Sequence, residues 1–182
     1  EFGVDLERVR LADTVGWASP LQVQRVVGVV RDKWPDLPLS LHLHDTRGTG
    51  LANAMVALQM GIDDFDSSCA GLGGCPFAGH KGAAGNICTE DLVFMAQEMG
   101  IETGIDLDAL IECARMAETI VRAVEIYGAI GLPVALVFLL WGLDRIDPTA
   151  EDAYVFRPLL IPGIVLLWPV VLLRWAVLEV RG

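Results

Sequence analysis

Two stretches of this chain carry no charged residue over 16 positions each, Gly128 to Leu143 (GAIGLPVALVFLLWGL) and Pro158 to Leu173 (PLLIPGIVLLWPVVLL). A soluble helix needs a polar face, and a short chain has little core in which to hide two helices that are apolar all round. Each run falls short of the roughly 20 residues that span a bilayer core. Extension into Ile126-Tyr127 and Tyr154-Val155-Phe156 brings both closer, with Arg157 snorkelling outward. Trp141, Tyr154, Trp168 and Trp175 supply interfacial anchors. We expect residues 121–182 to form a C-terminal hydrophobic helical hairpin, transmembrane, in contact with lipid through 126–143 and 155–173. Buried soluble helices are the alternative.

The preceding 120 residues are of another kind. They carry 18 acidic and 8 basic side chains, a balance that excludes nucleic acid as a partner, because phosphate binding needs clustered Lys and Arg. The four cysteines, Cys69, Cys75, Cys88 and Cys113, form no CxxC pair or disulfide-type spacing, which reads as reduced thiols in a cytosolic compartment. Strand and helix signals alternate. Val9–Ala12 is a strand. Ser19-Pro20 gives an N-cap and a first-turn proline to a helix reaching about Trp34, with Leu21, Val23, Val26, Val27 and Val30 on its apolar side. Leu39–Leu43 is the second strand, Leu51–Met60 the second helix and Ile62–Ser67 the third strand. A glycine-rich loop over 70–85 follows, then a helix capped by Thr89 and ending at Gly100, then another capped by Asp106.

This alternation means βα units and a parallel sheet. About four units fit before residue 120, whereas a (β/α)₈ barrel needs about 250 residues. The fold class expected is therefore α/β: a partial TIM barrel, residues 1–120, comprising about the last four βα units, followed by the 121–182 segment. The sequence opens on Glu1 in mid-pattern and reads as a fragment or a joined reading frame.

Within the front part, His42-Leu43-His44 stands out. Residues two apart on a strand share a face, so both imidazoles would project from the C-terminal end of a strand, where barrel enzymes keep their sites. Two adjacent imidazoles are half of a divalent-metal site, although a polar core pair is the bland reading. Asp45 and the loop that follows favour the metal. In Ser67–Pro76, Gly71, Gly73 and Gly74 permit positive φ and close approach of backbone to a ligand. Cys75 sits between glycine and proline on this loop, either as a tuned acid or base or as a small packed residue.

The run DSSCAGLGGCPFA (Asp66–Ala78) resembles the active-site loop of the hydroxymethylglutaryl-CoA lyase family. HLHDTRGTGLANAMVALQMG (His42–Gly61), GNICTEDLVFMAQEMGIETGIDL (Gly85–Leu107) and LADTVGWASP (Leu11–Pro20) are similar to the same family in the same order, together covering about residues 1–119. The resemblance implies a (β/α)₈ barrel that binds Mg²⁺ or Mn²⁺ and cleaves hydroxymethylglutaryl-CoA, an acyl-CoA, into acetyl-CoA and acetoacetate. It implies metal ligation by His42, His44 and Asn86, proton transfer by Cys75, an acidic catalytic role near the substrate for Asp13, a supporting role for Glu90, and substrate-loop glycines at 71, 73 and 74. The family's first strand carries an Arg-Asp-Glu run that has no counterpart before Leu11. Lyase activity of these residues alone is therefore expected to be weak or nil, with another chain completing the barrel.

Two other readings stand beside this one. A Claisen-condensing acyltransferase of the isopropylmalate synthase kind shares the barrel and the HxH pair, but the AGLGGCP loop points away from it. A small membrane protein with an inactive lyase-derived appendage is the non-enzymatic reading. The segment Asp144–Asp152 holds four acids and one arginine, whereas Arg115 and Arg122 precede the first apolar run and Arg174 and Arg181 follow the second. By the positive-inside tendency, the lyase-like half and the chain's end are expected in the cytoplasm, with the hairpin in the inner or plasma membrane.

Overall fold

A computed structural model describes residues 7–74, 85–147, 150 and 155–181. The chain forms two compact units, Glu1–Glu118 and Thr119–Gly182.

In the first unit, three parallel strands, β1 (Val9–Ala12), β2 (Leu39–His42) and β3 (Phe65–Asp66), lie side by side in chain order. Ala12 pairs with His42 and His42 with Asp66, so one register line crosses the C-terminal ends of all three strands. Ser19 caps α1 (Pro20–Lys33) through a full capping box, its hydroxyl accepting from the Gln22 N–H while the Gln22 side chain accepts from the Ser19 N–H. That arrangement satisfies two of the N–H groups a helix start leaves orphaned. α2 (Gly50–Gln59) begins where the Asp45 carboxylate accepts the Gly50 N–H at 2.7 Å. It ends where Arg31 of α1 donates to the Met60 and Gly61 carbonyls, a cation placed where the helix dipole favours one.

Leu39, Leu41 and Leu43 alternate with Ser40, His42 and His44 along the chain. The leucines pack with Val23 and Val27 of α1, Ala54, Val56 and Ala57 of α2, and Ile62, Ile87 and Leu92. Burial of each large apolar side chain here contributes about 1.5–3 kcal/mol. The period-2 rule then turns the histidines to the opposite face of the sheet.

Several sequence expectations need correction. β3 is two residues long instead of the six expected over Ile62–Ser67. Among the described residues, two single bridges, His44 to Asn86 and Ser68 to Cys88, tie the far side of the glycine loop to the strand ends. His44 therefore lies two residues beyond β2. On α1, Leu21 and Val26 are exposed while Val23 and Val27 are buried, so the apolar side is wider than the core it covers. Cys88, not Thr89, is the N-cap of α3 (Thr89–Glu98). Asp106 does cap α4, its carboxylate accepting the Ala109 N–H.

α4 (Leu107–Val137) runs unbroken through residue 120, where the composition changes. It passes Pro133, continues as a single π turn over Phe138–Gly142, and ends in α5 (Leu143–Ile146). In the second unit these residues pack against α6 (Arg157–Arg181), with Ala135, Leu139 and Ile164 at the centre. Both helices are long and apolar enough to cross a bilayer by length and composition. α6 is not straight: Leu167 leaves helical geometry at φ −112°, ψ 15°, between Pro162 and Pro169. Nor does Arg157 snorkel. It is buried, with Nη1 donating to the Leu139 carbonyl at 2.6 Å and Nη2 to the Asp144 carboxylate and the Ala150 carbonyl.

Candidate functional site

The C-terminal ends of the strands bring together most of the residues singled out from the sequence. The His42 and His44 rings meet edge to face, with centroids 4.9 Å apart. Each is oriented from behind through Nδ1. His42 Nδ1 lies 3.2 Å from Asp66 Oδ2, which also accepts from Arg10 Nε at 3.0 Å. His44 Nδ1 lies 2.6 Å from the Asp13 carbonyl, so the imidazole donates there. With both Nδ1 atoms engaged, Nε2 is the nitrogen that each ring offers outward. Metal-ligating histidines are held in this way, by a carboxylate or a backbone carbonyl at the other nitrogen.

Asn86 is bridged antiparallel to His44, and directly opposed residues of such a pair turn their side chains to one face. Its Nδ2 donates to the Leu72 carbonyl at 3.0 Å, so Oδ1 is the amide atom left to serve as a ligand. Among the described residues no three His, Cys, Asp or Glu side chains could hold a metal on their own. The donor set fits a divalent cation only when the Asn86 amide joins the two imidazoles, as two nitrogens and one oxygen that leave further positions for water, substrate or another carboxylate.

Gly71 and Gly73 of the glycine loop lie against Asn86. Gly71 and Gly73 have φ of +58° and +91°. A Cβ on Gly73 would sit 2.7 Å from Asn86 Nδ2, so a side chain there would push the amide aside. Ala70 is the one non-glycine with positive φ among the described residues. Its N–H is held by both Glu90 oxygens, at 3.0 and 3.1 Å. Burial tends to raise the Glu90 pKa, but hydrogen bonds from the Cys88 thiol and from the Glu90 and Ala70 N–H groups outweigh it and hold the carboxyl below its ordinary value. Burial, together with the hydrogen bond that its thiol donates to Glu90, pushes the Cys88 pKa up to about 12. Glu90 thus clamps the base of the loop. Gly74 is the last described residue before the gap, and Cys75 lies outside the described residues.

Asp13 follows β1. Its two carboxylate oxygens accept the Trp17 and Ala18 N–H groups at 2.9 and 3.1 Å. The turn so held brings Gly16 against Thr46 and His44; a Cβ on Gly16 would lie 2.7 Å from Thr46 Oγ1. Asp13 therefore acts on His44 through its carbonyl while its side chain shapes the adjoining loop.

Sequence reasoning missed Asp66 and Cys88. Asp66 was visible only as the first letter of a loop motif; its partnership with His42 comes from strand register.

A family model described as HMGL-like matches residues 3–117. The hydroxymethylglutaryl-CoA lyase of Bacillus subtilis is 47% identical over 118 residues, 65% of this chain and 38% of that protein. The (R)-citramalyl-CoA lyase of Chloroflexus aurantiacus is 50% identical over 113 residues, covering 61% and 35%. Among solved structures, the B. subtilis HMG-CoA lyase superposes with a TM-score of 0.59 at 45% identity, covering 65% of this chain and 38% of that one. An Acinetobacter baumannii HMG-CoA lyase in complex with coenzyme A and 3-methylmalate gives 0.55 at 52% identity, covering 62% and 36%. The chain thus spans under two-fifths of the length of each of these relatives.

Proposed function

The chain belongs to the HMGL-like family through residues 3–117, and from that membership we propose that it supplies the metal-holding end of a lyase site for retro-Claisen cleavage of a 3-hydroxyacyl-CoA. Hydroxymethylglutaryl-CoA, cleaved to acetyl-CoA and acetoacetate, is the substrate we favour. The observation that carries the reading is the convergence of His42, His44 and Asn86 at the strand ends, with Leu72 and Gly73 against the Asn86 amide. The comparable identity to a citramalyl-CoA lyase widens the substrate class to acyl-CoA esters with a tertiary hydroxyl.

Cleavage requires loss of the tertiary hydroxyl proton, breakage of the bond to the carbon next to the thioester, and return of a proton to that carbon. A divalent ion held by His42 Nε2, His44 Nε2 and Asn86 Oδ1 would supply Lewis-acid polarisation of the hydroxyl oxygen. The two imidazoles favour Mn²⁺ over Mg²⁺, which prefers oxygen donors. Asp66 and the Asp13 carbonyl keep the imidazoles aimed. Each Asp13 carboxylate oxygen retains a second lone-pair direction, so Asp13 remains our candidate for receiving the hydroxyl proton. Cys75, by resemblance, returns a proton to the enolate carbon as the loop closes. The Glu90 clamp on Ala70 fixes the stem of that loop, and Gly71, Gly73 and Gly74 let its backbone approach the substrate.

We further propose that this sheet is completed by βα units from elsewhere. β1 has no neighbour on its outer side among the described residues. An apolar cavity of about 280 Å³, lined by Leu11, Val15, Trp17, Val26 and others, opens beside it. An open strand edge next to exposed apolar surface is what a missing neighbour would cover. The second unit we read as membrane-embedded, because its apolar side chains point outward: Leu140, Leu159, Leu166, Val170 and Leu173 are all more than 60% exposed.

Joining the chain to the upstream barrel half of the B. subtilis lyase, and following acetyl-CoA and acetoacetate release from hydroxymethylglutaryl-CoA, tests the activity. Metal-dependent cleavage abolished by His42→Ala is expected. Condensation of acetyl-CoA with a 2-oxo acid, without cleavage, would move the assignment to the synthase kind. A folded, metal-loaded hybrid with neither activity would leave the appendage reading.

A further inference from the structure

The second apolar run does not pair with the first as one straight helix against another. Two antiparallel spans place each later residue of one against an earlier residue of the other. The first part of α6 obeys this: Arg157 reaches Leu139 and Asp144, Val165 packs on Gly131, and the Leu166 carbonyl accepts from the Tyr127 hydroxyl at 2.7 Å. Beyond Leu167 the order reverses. Trp168 lies against Gly131, Trp175 against Phe138 and Gly142, and Glu179 pairs with Arg145 at 2.6 Å. The later part of α6 therefore runs back alongside α4 in the same direction as α4.

Local chemistry explains the turn. Pro169 has no N–H for the Val165 carbonyl, and Leu167 leaves helical geometry at that point. Backbone polar groups inside hydrocarbon need protein partners, and at this kink the Tyr127 hydroxyl donates to the adjacent Leu166 carbonyl. Glycines at 131 and 142 let the indoles of Trp168 and Trp175 approach closely; a Cβ at either would lie within 3.0 Å of an indole carbon. The two arms, of about ten and fourteen residues, measure about 15 and 21 Å, each too short for a hydrocarbon core of about 30 Å. The charges sort accordingly: Asp144, Arg145, Arg157 and Glu179 gather at one end, while the turn presents exposed Leu166 and Leu167.

We infer that α6 is a re-entrant helical hairpin, entering and leaving the lipid bilayer on one face, so that Glu179 lies on the same side as the 144–157 connection and opposite Arg122 and Glu125. The inference rests on the membrane reading of the second unit and changes its topology: Glu179 does not return to the side of Arg122 and Glu125.

The test uses the full chain in cell membranes, with its four cysteines changed to serine. Single cysteines are introduced as Asp147→Cys or Val180→Cys and exposed to a membrane-impermeant maleimide in intact and permeabilised cells. Matching accessibility of the two positions supports the proposal; labelling of one with protection of the other overturns it. In parallel, a bismaleimide of about 10 Å should link Arg145→Cys to Glu179→Cys and leave Val124→Cys with Glu179→Cys unlinked. The opposite pattern establishes two full spans. Release by alkaline carbonate is a separate outcome, which removes the membrane reading itself and the hairpin proposal with it.

Discussion

Replacing Asp66 with alanine isolates the contribution of the group behind His42. Removing an outer-shell partner of a metal-ligating histidine generally weakens metal binding 10- to 100-fold. Three features place Asp66 near the lower bound. The Nδ1–Oδ2 distance is 3.2 Å, whereas His44 has its backbone acceptor at 2.6 Å. The same oxygen is shared with Arg10. Both side chains of the His42–Asp66 pair are about one-third exposed, so water competes for the contact. We expect Asp66→Ala to weaken Mn²⁺ affinity about tenfold, on the order of 1.4 kcal/mol, with the fold kept. His42→Ala, which deletes the proposed ligand, should cost far more. Titration of the chain with Mn²⁺, reading free ion by electron paramagnetic resonance, measures both. An Asp66→Ala chain that binds as tightly as wild type, or that fails as completely as His42→Ala, would refute this account of how His42 is held.

Other substitutions probe the loop and its stem. Gly73→Ala combines a left-handed backbone, costing about 1–2 kcal/mol for an alanine, with a Cβ only 2.7 Å from the Asn86 amide. It should therefore weaken Mn²⁺ binding, whereas Gly48→Ala, equally left-handed but facing open space, should not; equal losses would reduce the effect to strain alone. With its pKa pushed up to about 12, Cys88 has a thiolate fraction of about 10⁻⁴ at pH 8. Iodoacetamide followed by peptide mass analysis should thus find Cys113, which is exposed, modified long before Cys88. The raised thiol stabilises the folded state fully below its ordinary value near 9 and progressively less as pH climbs toward 12. Urea midpoints should accordingly fall over that window in wild type and less in Cys88→Ala. Ser19→Ala, which removes the α1 cap, should cost about 1 kcal/mol in the same unfolding assay; no change in midpoint would mean the capping box is dispensable.

Local signals carried the sequence reading where the chemistry is local. The Ser19-Pro20 start of α1, the Asp106 cap of α4 and the alternation of leucines with histidines past β2 are short-range rules, and the structure displays all three. Contacts made across the chain were not legible. Nothing near Asp66 announces that strand register will set it beside His42, and nothing near Glu90 announces a clamp on Ala70 twenty residues earlier. The change of composition near residue 120 lies beside the division between the compact units after Glu118 and inside α4, because a change in side-chain polarity does not interrupt helical hydrogen bonding. Pro162 and Pro169 were visible from the start as helix disruptors. Reading 158–173 by its hydropathy hid what they imply, which is that a long apolar run can turn back on itself.

We propose that His42 and His44 offer their outer nitrogens to one ion together with the Asn86 oxygen. Electron spin-echo envelope modulation of Mn²⁺ bound to the full chain tests this most directly, because it detects nitrogen nuclei coupled to the ion. Two inequivalent imidazole nitrogens are predicted, one lost in His42→Ala and the other in His44→Ala. Bound Mn²⁺ with no nitrogen coupling, or coupling that survives both substitutions, would contradict the site.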